Sequence, residues 1–363
     1  MCKVLIIEDQ LDIIDRFKGF TAGTELSFIS PTDIGLVGFS PTEDEAVEEQ
    51  LATFLKNKIG EHGIDLVLLD TDLSRGRTLQ THSSYKAALR ELGMPVCRYQ
   101  KGGTTSEFEQ LPQLQRTIRD GASAIWIPRA IVSGDRMNEL VPRLIAISRG
   151  FKSIYKALQA SPELLKGRHS PTDVLAAVLG NSAISYEFLG YAAQNLVYFA
   201  NPEAHVAEYQ ISEERRFATQ LGYWLFNYIM MFPGPILSEP SAAAYLNIQP
   251  SELKKHSELS EALKVAQYHG PFSEIAPYFW RSALIELLND FDGDIVRNEA
   301  FRDLEIARID TQSPDSVAYI CLVSGKPITE QQAAPTPDWV PSGASEARVD
   351  DDVLSELGPL AGI

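Results

Sequence analysis

Residues 3–10 read KVLIIEDQ, and residues 64–74 read IDLVLLDTDLS. Each is a short aliphatic run that ends in carboxylates. Val4, Leu5, Ile6 and Ile7 run into Glu8 and Asp9, while Leu66, Val67, Leu68 and Leu69 run into Asp70 and Asp72. Apolar runs of this length suit strands buried on both faces, as in a parallel sheet covered by helices. In such sheets the ligand site lies beyond the carboxyl ends of the strands. Two of these strands side by side would gather three or four carboxylates in one cleft. Like charges that close repel, and a hard divalent cation such as Mg²⁺ is the usual means of holding them.

Around these strands, the first 150 residues alternate strand and helix signals. A helix is expected over 11–20 and a weaker strand over 26–30. Ser40-Pro41-Thr42-Glu43 has the form of a capping box with proline in the first turn. It is expected to open a helix carrying Val47, Leu51, Phe54, Leu55 and Ile59 on one face. Helices over 83–92, 106–120 and 135–150 then alternate with strands over 95–99 and 122–127. This succession predicts an α/β fold: a (βα)5 doubly wound parallel five-stranded sheet with right-handed crossovers.

From Phe151 the pattern turns helical throughout, predicting an all-α domain over 151–330. Ser170-Pro171-Thr172-Asp173 starts one helix, and 184–199 and 212–231 read as apolar ones. Others are expected over 238–246, 250–268, 276–290 and 297–306, with one late strand at 317–323. The stretch SRGFKSIYKALQ (148–159) reads as the fifth helix continuing into this region. Residues 331–363, rich in Pro, Ala, Ser, Gly and Asp, are expected to form a flexible acidic tail. Trp339-Val340-Pro341 and Val353-Leu354 interrupt it, as a docking peptide or as part of a frayed terminus.

The chain has 363 residues and a formal charge of −17. Residues 1–150 hold 17 basic and 21 acidic side chains, so the remainder carries about −13. Such a charge disfavours nonspecific attraction to nucleic acid or an anionic membrane. Cys2, Cys97 and Cys321 are odd in number and far apart, which fits a reduced, cytoplasmic setting and no disulfide framework. No signal peptide is expected before the first strand, and the most apolar stretch, 223–237, is too short to span a bilayer. The six histidines show no metal-ligand spacing. A homodimer is left open.

With its strand order, an acidic pair after strand one and Asp-Thr-Asp-Leu after strand three, the N-terminal 140 or so residues resemble the receiver domain of bacterial two-component response regulators. The resemblance implies that Glu8 and Asp9 ligate Mg²⁺. It also implies that Asp70 both ligates the ion and accepts a phosphoryl group, and that Asp72 offers the metal a backbone carbonyl. The implied partner is a sensor histidine kinase or a phosphotransfer protein. A carboxylate nucleophile needs the incoming phosphoryl oxygens neutralised, which a bridging metal does.

Two positions depart from the family. It carries Ser or Thr at the end of strand four, where PVCRYQKG offers Gln100, with Thr104 and Thr105 later. It carries Lys-Pro after strand five, where Ile127 precedes Pro128 and the nearest cations are Arg129 and Lys101. Gln100, Lys101 and Arg129 are therefore the candidate phosphate contacts. A missing ammonium would deprive the phosphorylated state of a charge-assisted hydrogen bond worth about 1.5–3 kcal/mol. Three readings stay open: a phosphoaccepting receiver, a phosphate-independent pseudo-receiver, and an acidic cluster with no site.

In the C-terminal half, PSAAAYLNIQPSEL (240–253) is close to helix-turn-helix spacing. A recognition helix over Ser251–Lys264 would offer Ser251, Lys254 and Lys255 to DNA. Its Lys254, Lys255 and Lys264 are offset by Glu252, Glu258 and Glu261, a poor electrostatic footprint for a duplex. Trp224, Phe226, Tyr228, Phe232 and Tyr278-Phe279-Trp280 line either a ligand pocket near Arg281, as an enzyme would need, or a plain core. The expectation is a signalling protein whose helical domain works through a protein partner. It would not be an enzyme beyond self-phosphorylation from a phosphodonor. A DNA-binding regulator and a ligand-binding helical domain are the alternatives.

Overall fold

The computed structural model describes residues 1–42, 46–73, 81–102, 110–166, 169–191 and 212–358. Its five-stranded sheet is formed by β1 (Cys2–Ile7), β2 (Leu26–Ile29), β3 (Leu66–Asp70), β4 (Val96–Tyr99) and β5 (Ile125–Trp126). All four pairings are parallel, and the order is β2-β1-β3-β4-β5. The aliphatic runs are central strands: Val4, Leu5, Ile6 and Leu66 to Leu69 have no exposed surface. Removing such runs from water on both faces is the main force holding the sheet between helices.

Strand periodicity divides the side chains between two faces. On one, Leu5, Ile7, Val67, Leu69 and Val96 join Leu51, Leu55 and Ile59 of α2 (Val47–His62) and Tyr85 and Leu89 of α3 (His82–Glu91). On the other, Phe17 of α1 (Leu11–Gly19) meets Phe28 and Tyr99 at ring distances of 6.3 and 5.8 Å. Register fixes the site. Ile7 lies opposite Leu69 and Asp70 opposite Tyr99, so β1, β3 and β4 end side by side.

Several elements differ from expectation. The capping box at 40–43 does not start α2; that helix begins at Val47, and Thr42 instead exchanges backbone hydrogen bonds with the Gln50 amide at 2.8 and 2.9 Å. After α4 (Leu111–Asp120) and β5, a short α5 (Arg129–Ser133) precedes α6 (Leu140–Ala160). The 21-residue α6 runs through 148–159 without a break, as that stretch predicts.

The chain divides into two compact units that are not split at residue 150. The first comprises 1–105, 120–174 and 196–224; the second comprises 106–119, 175–195 and 225–363. Most of α4 therefore belongs to the second unit, a departure from a plain (βα)5 succession. The helix Glu213–Trp224 belongs to the first. On that helix Thr219 and Tyr223 lie four residues apart and face the start of β4. Thr219 Oγ1 donates to the Gly93 carbonyl (2.8 Å), and the Tyr223 hydroxyl accepts from the Val96 N–H (2.7 Å). Gly93 has φ +55°, and a Cβ there would lie 3.2 Å from the Arg216 backbone, so the close approach needs glycine.

The second unit is not all-helical. Ile236–Ser238 pairs antiparallel with Tyr278–Trp280, and Tyr319–Ile320 with Pro327–Ile328. Pro233-Gly234-Pro235 stops helix propagation just before the first of these ribbons, and Tyr278-Phe279-Trp280 suits a strand. The helix expected over 184–199 is a succession of short turns up to Tyr191, with 192–199 outside the described residues. The core joins Leu237, Leu246, Ile248, Leu259, Phe279 and Leu284. The expected flexible tail is packed as far as 358: Val340, Ala344, Ala347, Val349 and Leu357 are buried, and Asp350 caps a helix over Asp351–Leu357. Spaced apolar residues in a Pro/Ala-rich stretch suffice for burial when the surrounding core supplies the contacts.

Candidate functional site at the ends of strands one, three and four

Two strand ends, of β1 and β3, bring Glu8, Asp9 and Asp70 together, with one carboxylate oxygen of each within 4.8 Å of the others. Asp70 is the last residue of β3 and has no exposed surface; Glu8 follows β1 and is 5% exposed, whereas Asp9 is exposed. Burial of two carboxylates demands compensation. Glu8 Oε1 accepts the backbone N–H groups of Asp9 and Gln10, both at 3.0 Å. Glu8 Oε2 accepts the Tyr99 hydroxyl at 2.5 Å. Asp70 Oδ1 accepts the Asp72 N–H at 3.1 Å, and the Asp72 side chain is exposed.

The counter-charge comes from Lys101. Its ammonium lies 3.0 and 3.1 Å from the two Glu8 oxygens and 2.8 Å from Asp70 Oδ2. The contact with Asp70 Oδ2 is an ion pair. Burial alone would lower the Lys101 pKa, but its contacts with Asp70 and Glu8 together raise it. Burial raises the Glu8 pKa and the nearby Asp70 adds to it, against hydrogen bonds from Tyr99, Lys101 and Gln10 that pull the other way. Burial and the Glu8 charge push the Tyr99 phenol far above its ordinary range, so it stays a donor.

Among the sequence candidates, Glu8, Asp9, Asp70 and Lys101 converge. Gln100 and Arg129 meet each other instead, with the guanidinium donating to the amide oxygen at 2.5 Å. Thr104 and Thr105 lie outside the described residues. Sequence reasoning missed Tyr99 and the bridging role of Lys101. The signal was present: period two puts Tyr99 and Lys101 on one side of the β4 line, and Tyr99 pairs with Asp70.

As arranged, the three carboxylates suit an ammonium better than a divalent ion. Both oxygens of Glu8 are already engaged, and the only exposed member of the trio is Asp9. A Mg²⁺ ion takes six oxygen ligands, several of them water, and drawing on Glu8 as one of them would displace Lys101 or the Tyr99 hydroxyl.

The helix expected over Ser251–Lys264 is divided into Pro250–Lys255, Ser257–Ala262 and a 3-10 turn at Leu263–Ala266. Ser251, Lys254 and Lys255 are exposed, with Lys255 3.3 Å from the buried Glu252. His256 breaks the helix: its ring nitrogen sits 3.1 Å from that same carboxylate. The aromatic residues pack on one another, Phe226 on Phe272 at 5.3 Å and Tyr268 on Trp280 at 5.1 Å. Trp224 falls in the first unit. Arg281 is held by Glu187 at 2.8 Å and Glu346 at 3.1 Å.

Among the described residues no helix is long and apolar enough to cross a membrane. No protein-family model matches the chain, and no curated protein matches it.

Proposed function

We propose that the first unit is a receiver-like signalling module that works without phosphate, with Lys101 as the permanent counter-ion of Asp70 and Glu8. The second unit then serves as the protein-interaction part. The strand order β2-β1-β3-β4-β5 supports the receiver-like, flavodoxin-type reading, as do acidic residues at the ends of β1 and β3. The observation that carries the phosphate-independent form is that both Glu8 oxygens are engaged by the Tyr99 hydroxyl and the Lys101 ammonium beside an Asp70 side chain with no exposed surface. A nucleophile must reach its phosphodonor with metal support, and Asp70 is covered while Glu8 has no free oxygen.

One observation favours the phosphoaccepting form instead. Lys101 delivers from the end of β4 the ammonium that the resemblance expects after strand five, beside Asp70. Under this second reading Asp70 takes a phosphoryl group from a kinase-borne phosphohistidine, and Lys101 pairs with the product. Incubation with acetyl phosphate and Mg²⁺, followed by intact-mass measurement, separates the two. The expected result is an unmodified chain. A hydroxylamine-labile phosphoryl adduct, absent from Asp70→Ala, overturns the phosphate-independent form.

DNA binding draws less support, since the expected recognition helix is divided and Lys255 is tied to Glu252. An enzymatic second unit draws less as well, because Arg281 is ion-paired and the aromatic rings fill one another's surroundings. The surrounding expectations of a cytoplasmic location and a protein partner belong to the same proposal.

A further inference from the structure

At the opposite end of the sheet from the acidic site, the first unit contains a cavity of about 580 Å³, within the usual size of a small-molecule site. It lies where β3 and β4 begin, at Ile64-Asp65 and Met94-Pro95, and is walled by α2, α6 and the helix Glu213–Trp224. Ile59, Leu92, Met94, Phe151 and Ala218 make most of the wall apolar. Three cations, Lys56, Lys152 and Arg215, also line it, against one carboxylate, Asp65.

The cations differ in what they touch. Lys152 is neutralised by Asp65 at 2.8 Å, and Asp65 also accepts the Lys3 N–H at 2.9 Å. Arg215 has no carboxylate at ion-pair distance among the described residues. Its guanidinium donates to the Met94 thioether at 2.8 Å, a weak acceptor. Burial pulls its pKa below the ordinary arginine value, although Tyr155 and Asp65 work against that. Four residues on, Thr219 fixes the helix against Gly93, and Gly222 lets Phe151 approach where a Cβ would meet its ring at 2.4 Å. The guanidinium is thus held in place by a packed helix with most of its donors directed to no acid. Leaving such a cation half-buried and unpaired is unfavourable unless an anion completes it.

We propose that this cavity binds a small amphiphile, its apolar body against Ile59, Leu92, Met94, Phe151 and Ala218 and its single carboxylate or phosphate group on Arg215. Guanidinium suits both head groups through two parallel N–H···O bonds. The site is independent of the acidic cluster and of any phosphorylation at Asp70.

The test uses the full chain and 8-anilino-1-naphthalenesulfonate, an apolar probe with one anionic group, followed by fluorescence. One saturable site is expected, with displacement by decanoate or decyl phosphate well ahead of decanol. Whichever of the two acids displaces at the lower concentration identifies the head group. Arg215→Met should weaken binding about tenfold or more, roughly 1.4 kcal/mol. Ala218→Leu, which fills the cavity and keeps the charge, should abolish displaceable binding. Circular dichroism and thermal unfolding confirm that each variant is folded. The proposal fails if the probe does not bind, if Arg215→Met binds equally well, if decanol competes as well as the acids, or if a folded Ala218→Leu chain still binds.

Discussion

At the carboxyl end of the sheet Lys101 meets two buried carboxylates at 2.8–3.1 Å, whereas at the amino end Arg215 meets a thioether. Both cations are drawn in from solvent, yet only one is neutralised inside the fold. At the acidic end each Glu8 oxygen has partners and Asp70 has no exposed surface, although a cavity of about 330 Å³ lies beside Glu8 and Asp9. The amino end opens on a cavity with cationic surplus. A complete internal ion pair specifies structure, while an incomplete one marks a place for an outside group.

The sharpest way to break this comparison is to remove each cation. Lys101→Met leaves Glu8 and Asp70 buried without their ammonium and should cost about 3–5 kcal/mol in chemical denaturation at neutral pH. Arg215→Met removes a charge with no carboxylate partner, so stability should change by no more than about 1 kcal/mol. Equal losses would show that the two ends do not differ as described.

The next effect is a pH dependence at the sheet's flank. Burial, then the charges of Arg98 and Lys86, lowers the His82 pKa from 6.5 to about 4. The unfolded chain therefore binds a proton before the folded one does. The His82 contribution is intact above pH 6.5 and is lost as pH falls toward about 4. His82→Gln should flatten that acid limb in urea unfolding; an unchanged limb would remove His82 as its source.

The smallest effect has the opposite sign and sits in the acidic site. Glu8 has a raised pKa, chiefly from burial, so the folded state holds its proton longer than the unfolded state. Its contribution is fully present below the ordinary value of 4.5 and is lost as pH rises through the raised one. Glu8→Gln should abolish this loss. A profile that declines identically in the variant would contradict the account of Glu8.

The strand cores were legible because aliphatic runs buried on both faces leave an unambiguous pattern, and β1 and β3 carry their acids at the ends where the parallel arrangement needs them. Lys101 was visible as a nearby cation but not as the bridge, since that depends on the register placing β4 beside β3. Arg215 gave no signal: it reaches the sheet from a helix more than a hundred residues after β4, guided by Thr219 and Tyr223. The second unit was misread for a related reason. Its short ribbons and ordered C-terminal stretch rest on long-range contacts that local periodicity does not encode.

The central claim is that the Lys101 ammonium and the Tyr99 hydroxyl, by engaging Glu8 beside a fully buried Asp70, close the site to a phosphoryl group. The most direct measurement is ¹⁹F NMR of the chain with beryllofluoride, a phosphoryl mimic, in millimolar Mg²⁺. The account predicts only the resonances of free beryllofluoride. A bound resonance that disappears in Asp70→Ala would contradict it.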